Sequence, residues 1–162
     1  MTQDEVRRLF DYDAATGALI WKHRDDAPKQ WNVRYARRVA GRVCERGYVK
    51  VRLNGRQYYA HRLVWAWHGK DGSARCLDHI NRCKADNRIE NLRAATHSQN
   101  LANWDREGRR GVSFSSRVGK FAAQIVCRGK HHWLGYFDTE QDAKAAYRKA
   151  ANDLFGEFAC SA

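Results

Sequence analysis

No two of the five cysteines (Cys44, Cys76, Cys83, Cys127, Cys160) stand at C-x-x-C spacing, and they are odd in number and widely spread. That excludes a zinc ribbon and a disulfide framework, and makes a reduced, intracellular compartment the expectation. The run Cys76-x2-His79-x3-Cys83 offers three soft ligands, but its spacing matches no common zinc module. No apolar run approaches the roughly 18 residues that a membrane-spanning helix needs. The N-terminal MTQDEVRRLFDYD is too charged for a signal peptide, so a soluble cytoplasmic protein is expected. There is no internal repeat, and the one proline is Pro28.

What is abundant is positive charge. The chain carries a net +12, and 43% of its residues are hydrophobic, enough for packed cores and too much for wholesale disorder. Such an excess of Lys and Arg suits a polyanion, because each phosphate contact releases condensed counterions, although basic character also serves solubility alone. The charge divides unevenly: residues 1–104 hold 20 basic and 11 acidic side chains, residues 105–162 hold 10 and 7.

Thr2-x-x-Glu5 is a capping box that opens a short helix with Val6, Leu9 and Phe10 on its apolar side. Ala15-Thr-Gly17 turns the chain into a brief strand, Ala18 to Trp21, and residues 22–40 read as an extended basic surface loop. Gly47 to Leu53 alternates, Asn54-Gly55 is a strong hairpin signal, and Arg56 to Ala60 is the return strand. HRLVWAWH, His61 to His68, reads as one buried helix ended by Gly69, flanked by two histidines of which His61 reads as structural ahead of catalytic. Thr96-x-x-Gln99 is a second capping box, predicting a helix from His97 to about Trp104.

Residues 77–104, LDHINRCKADNRIENLRAATHSQNLANW, concentrate the chemistry. His79 follows Asp78 directly, Asn91 lies twelve residues beyond His79, and Asn100 nine beyond Asn91. Cutting a phosphodiester needs an activated water, charge neutralisation and a stabilised leaving oxygen. A neutral histidine takes a proton from water near pH 7, and a hard divalent ion with oxygen ligands supplies the rest. Adjacent residues on a strand face opposite ways, but a strand end or turn relaxes this and lets Asp78 face an ion while His79 faces water. Asp, Asn and His also cap turns, and any one of them alone says little. Four spaced positions beside the HRLVW helix are not accounted for that way.

This stretch resembles the HNH endonucleases of the phage and intron-homing branch, from about Tyr48 to Asn103, through NGRQYYAHRLVWAWHG, LDHIN, DNRIENLR and THSQN. The resemblance implies a ββα-metal module around one divalent ion, Mg²⁺ or another hard cation. It further implies His79 as general base, Asp78 and Asn100 as metal ligands, and Asn91 as the central asparagine bracing the loop that orients His79. The third letter of the motif is often histidine, and Asn100 makes this an H-N-N variant. His97, three residues earlier, is the alternative ligand. Arg82, Lys84, Arg88 and Arg93 are candidates to hold phosphates beside the site, or a solvated basic face.

Residues 105–111, DREGRRG, read as a linker. Beyond it come three strands (112–116, 120–128, 131–137) and a helix, Glu140 to Leu154, capped by Thr139 and lined with Ala143, Ala146, Tyr147, Ala150 and Ala151. The elements RGV, GKFAAQI, WLGYFDTEQDAKAAY and the terminal FGEFA resemble the DNA-binding domain of plant ethylene-response factors. The resemblance implies a three-stranded antiparallel sheet lying in the major groove with the helix behind it. Period two puts Phe121, Ala123, Ile125 and Cys127 toward the helix. Lys120, Ala122, Gln124, Val126 and Arg128 then face DNA, with Ser113, Ser115, Arg117, His131 and Trp133, and Arg110 joins them. An isolated strand tryptophan is usually core, but the motif places Trp133 on the open face of the sheet, which favours contact with DNA. Ser113, Ser115 and Val126 stand where the plant domain carries arginines, so its target preference does not transfer.

The expectation is an α+β protein in two parts. Residues 1–104 form an HNH nuclease domain with its motif core at 48–104, and residues 112–162 a sheet-and-helix DNA-binding domain. Its partner is double-stranded DNA, with no membrane, no obligatory protein partner, and a monomeric or homodimeric state. A mobile-element or phage origin goes with the resemblance. The rival is a regulator that binds DNA without cutting and retains a degenerate nuclease scaffold; an RNA-directed nuclease is weaker, since nothing resembles an RNA-stacking platform.

Overall fold

A computed structural model describes residues 1–70, 72–103 and 111–159. The chain divides into two compact units, Met1–Ala94 and Ala95–Ala162. It is a mixed α/β chain with several small sheets and, among the described residues, five α-helices, none of them long and apolar enough to cross a membrane.

In the first unit, Thr2 and Glu5 form the reciprocal cap that starts α1 (Gln3–Leu9), and the chain turns extended at Phe10. Strands β1 (Phe10–Asp13) and β2 (Ala18–Trp21) pair antiparallel, Phe10 opposite Trp21. Asp13 builds their turn by accepting from the Ala15 backbone N–H at 2.9 Å and the Thr16 hydroxyl at 2.6 Å. The stretch expected to be a surface loop contains a helix, α2 (Lys29–Tyr35). No apolar periodicity announces it. Tertiary contacts hold it: Trp31 packs on Trp21 with ring centroids 5.1 Å apart, and the Asn32 amide clamps both backbone groups of Arg24.

Next come β3 (Arg42–Val43), β4 (Val49–Leu53) and β5 (Arg56–Tyr59), a three-stranded antiparallel sheet whose second turn is Asn54-Gly55, both in the left-handed region. The chain runs from β5 straight into α3 (Ala60–Trp67), which buries Ala60, His61, Leu63 and Val64, one stripe of the helix. Ala60, Leu63 and Val64 of that stripe join Val6, Phe10, Leu19, Val51 and Leu92 in one core. Each large side chain buried there contributes about 1.5–3 kcal/mol. Strand β6 (Cys76–His79) pairs with β7 (Leu92–Ala95), and a 3₁₀ turn, Ile89–Asn91, leads into β7.

The second unit starts with α4 (His97–Asn103), capped reciprocally by Thr96 and Gln99. Helix α4 packs against the C-terminal elements of its own unit, which is why the division falls ahead of it, at Ala94/Ala95. The rest is an antiparallel sheet of β8 (Val112–Ser115), β9 (Lys120–Cys127) and β10 (Lys130–Phe137), with β9 central, covered by α5 (Glu140–Phe155). Thr139 caps α5 by accepting from the Asp142 N–H at 3.1 Å. Along β9, Ala123, Ile125 and Cys127 are buried while Lys120, Gln124 and Val126 are exposed. At Gly111 a Cβ would collide with the Gln124 carbonyl and the Tyr147 ring, so only glycine lets the chain enter β8 there.

Candidate active site

Asp78 and His79 end strand β6 and are both buried, at 4% and 5% exposure. The chain then turns sharply: Arg82 adopts a left-handed conformation (φ 64°) and its N–H donates to the His79 carbonyl at 2.9 Å. The loop from Ile80 to Arg88 is held by side-chain amides. Asn91 Oδ1 accepts from the Asn81 backbone N–H at 2.9 Å, and Asn91 Nδ2 donates to Asn81 Oδ1 at 3.0 Å and to the Asp86 carbonyl at 2.8 Å. The Asn91 carbonyl accepts from the Ile80 N–H at 2.9 Å. One asparagine thus ties both ends of the loop that follows His79.

Within that loop, Asp86 accepts from Arg88 Nε and Nη2 at 2.9 and 2.7 Å and from Asn81 Nδ2 at 2.7 Å. The Arg88 guanidinium holds the Asp86 carboxyl well below the usual carboxylate range. Arg88, a candidate phosphate contact, is therefore engaged in closing the loop. Arg93, another, reaches from β7 onto Asp78, with both Nε and Nη2 at 2.9 Å from Oδ2. Arg82 is exposed. Lys84 donates to the Arg46 carbonyl at 3.3 Å and lies over the Tyr48 ring, 5.0 Å from its centroid.

Sequence reasoning passed over Asn87. Its Oδ1 lies 3.3 Å from His79 Nε2, while its Nδ2 donates to the Ala85 carbonyl at 3.1 Å. An amide oxygen only accepts, so this contact requires the proton on His79 Nε2 and leaves the lone pair on Nδ1. Burial pushes the His79 pKa below its ordinary 6.5, against the contrary effects of Asn87 and Asp78, so the imidazole is neutral near pH 7. The only sequence sign of Asn87 is the D-N-R string, which reads equally well as a turn.

His61 was expected to be structural, and it lies against the same ring. Its centroid is 5.2 Å from that of His79, edge to face, and its other side stacks on Tyr59 at 5.4 Å. His61 Nδ1 is buried with no hydrogen-bond partner among the described residues, and desolvation lowers its pKa to about 3. The N-terminal hairpin also reaches the site. Tyr12 Oη accepts from the Ile89 N–H at 2.9 Å, and Gly17 sits so close that a Cβ would collide with the Arg88 backbone nitrogen.

Asn100 and His97, the two candidates for the third motif position, lie on α4 in the second unit, Asn100 half-buried and His97 exposed. Among the described residues no group of three or more His, Cys, Asp or Glu is gathered to hold a metal. The buried Asp78 carboxylate, and the amide oxygen that Asn100 offers, are hard oxygen donors, the chemistry that a divalent ion such as Mg²⁺ takes. In the sheet of the second unit, Ser113, Lys120, Gln124, His131 and Trp133 are exposed, as are Arg117 in the β8–β9 turn and Arg128, which lies in the β9–β10 turn and not on the strand, and Ser115 is half-buried. Trp133 is 56% exposed and pairs edge to face with Tyr136 at 5.0 Å. Arg110 lies outside the described residues.

Residues 58–102 match the family model described as HNH endonuclease. This segment carries an HNH endonuclease domain. An uncharacterized HNH endonuclease of Acanthamoeba polyphaga mimivirus is 35% identical over 102 residues, which is 61% of this chain and 54% of that relative. The chain thus spans about half the length of the curated relative it matches. No solved structure matches. The HNH segment begins in β5 and takes in α3, β6, the Asn91-braced loop and β7, the elements around His79. The match and the relative support a nuclease function in general terms.

Proposed function

We propose that the chain is a metal-dependent DNA endonuclease of the homing type, cutting phosphodiester bonds through the HNH segment. The observation that carries this reading is His79 itself: a buried, neutral imidazole whose Nε2 proton is committed to Asn87, so that Nδ1 is the basic nitrogen. His79 takes the proton from the attacking water. Asn87 holds its tautomer and plane, and Asn91 fixes the loop that carries both. Asp78 would be a ligand of one hard divalent cation. That ion, when bound, neutralises charge on the phosphate and the departing 3′ oxygen. Arg82 and Lys84 contribute positive charge beside the cut. The open face of the second unit, with Ser113, Lys120, Gln124, His131 and Trp133, contacts the duplex and supplies part of the specificity.

Plasmid DNA incubated with purified protein and Mg²⁺ gives nicked or linear product that EDTA abolishes. His79→Ala removes cleavage while gel-shift affinity stays nearly unchanged; equal cleavage by both proteins sinks the enzyme reading. A chain ending near Asp105 loses sequence preference, and retention of that preference would assign specificity to the N-terminal unit.

One observation favours the rival, a DNA-binding regulator that no longer cuts: Arg93 already neutralises Asp78. The rival predicts that no divalent ion restores cleavage on any DNA that the protein binds.

A further inference from the structure

The segment from Lys29 to Arg46 contains six basic residues, Lys29, Arg34, Arg37, Arg38, Arg42 and Arg46, against one acid, Glu45. All six are exposed, and among the described residues none forms an ion pair. Elsewhere in the same unit the arginines at 24, 88 and 93 are each held by a carboxylate. With a single acid, Glu45, among six exposed cations, the strip presents a continuous run of positive charge to whatever lies outside the chain.

The backbone beneath them is fixed on both sides. The Arg37 N–H donates to the Trp21 carbonyl at 2.7 Å, Trp21 donates to the Arg38 carbonyl at 2.9 Å, and Ala40 donates to Leu19 at 2.7 Å, which lays 37–40 along β2. At Gly41 (φ 90°) the strap bends, where a Cβ would meet the Lys50 carbonyl at 2.6 Å. It then pairs with β4 as β3, Arg42 opposite Lys50. It ends at Arg46, whose carbonyl receives the Lys84 ammonium at 3.3 Å, in the loop behind His79. Three valines are interleaved with the arginines and left open to solvent, Val33 at 83%, Val39 at 63% and Val43 at 59% exposure. A merely solvated face does not need apolar side chains placed at such exposure.

We infer that this strap is a second duplex-binding surface, separate from the sheet of the second unit, which grips phosphates leading up to His79 and sets its valines against sugar and base-methyl surface. Guanidinium forks match phosphate oxygens, and a pre-ordered backbone spares the ordering cost of a flexible arm. A second copy of the chain is disfavoured as occupant, because it would bring another +12 against an already cationic surface. The placement beside the cut rests on the nuclease reading; the contact with DNA does not.

The test is binding of the full chain to a labelled duplex in EDTA, by fluorescence anisotropy over a series of KCl concentrations. Replacing Arg34, Arg37, Arg38 and Arg42 together by Gln lowers the slope of log K against log salt by about 3 to 4, and Arg38→Gln alone by about 1. Thermal melts verify that the variants fold; should the quadruple variant not fold, the single substitutions decide. An unchanged slope in folded variants overturns the inference. So does an unchanged slope with loss of a dimer in sedimentation velocity, which would seat a second copy on the strap. Because no divalent ion is present, a chain that never cuts yet shows the reduced slope keeps this surface and loses only the nuclease assignment.

Discussion

His79 Nε2 lies 3.3 Å from the side-chain oxygen of Asn87, and the Asn87 amide nitrogen is itself anchored on the Ala85 carbonyl. The histidine is thereby oriented by a residue of the next loop, eight positions on. Asn87→Ala removes that hold and lowers the single-turnover cleavage rate by about 100-fold, as misplacement of a reacting group does, with little change in DNA affinity. Asn87→Asp sets a carboxylate against the imidazole and raises its pKa, so the acid limb of the pH–rate profile moves to higher pH than in wild type. Equal rates for wild type and Asn87→Ala would dismiss the role.

The N-terminal hairpin braces that loop from behind. Tyr12→Phe leaves the Ile89 N–H without its partner and costs about 1–3 kcal/mol of stability. Gly17→Ala costs more, since the residue has φ 73° and its Cβ would overlap the Arg88 backbone. In both variants kcat falls and KM for the duplex holds, because the hairpin acts on the loop carrying Asn87 and not on substrate. Thermal melts with steady-state kinetics check this; a change confined to KM would contradict it.

What was legible beforehand was what depends on neighbours in sequence. Three capping patterns, at Thr2, Thr96 and Thr139, each place the start of a helix, and Asn54-Gly55 places a hairpin, because these are contacts within a few residues. The alternation on β9 likewise separates Ile125 from Val126. The site divides the same way. Asp78, His79 and Asn91 stand out by residue type and spacing. The Tyr12–Ile89 bond joins residues 77 apart and the Arg93–Asp78 pair residues 15 apart, and nothing local marks either. Helix α2 escaped for a related reason: its stability comes from Trp21 and the Arg24 backbone, not from its own pattern.

His61 makes the fold sensitive to acid. The unfolded chain takes up a proton near 6.5, while the buried imidazole resists protonation down to about 3. Between those values the unfolded state binds more protons, so stability falls as the pH is lowered and is fully present only above the unfolded value. His61→Gln removes this dependence and leaves that of His79 in place. Wild type should therefore lose about 2 kcal/mol more than the variant between pH 7 and pH 5, read from denaturant unfolding. Parallel stability–pH curves would show that His61 is not the group responsible.

Arg93 and Asp78 form a pair in which both partners are largely buried, with side-chain exposures of 13% and 5%. Removing one member of such a pair takes charge compensation from a buried group, so Arg93→Gln lowers stability in EDTA, by up to about 3–5 kcal/mol. If Asp78 is a metal ligand, an arriving divalent ion supplies the missing positive charge. In wild type the same ion must compete with the guanidinium for the carboxylate. Millimolar Mg²⁺ then raises the Tm of Arg93→Gln by more than it raises that of wild type, because binding to the folded state alone adds stability. Asp78→Asn abolishes the rise. An equal Mg²⁺ effect on wild type and both variants would mean that the carboxylate serves only Arg93, and the ion would have to be held without it.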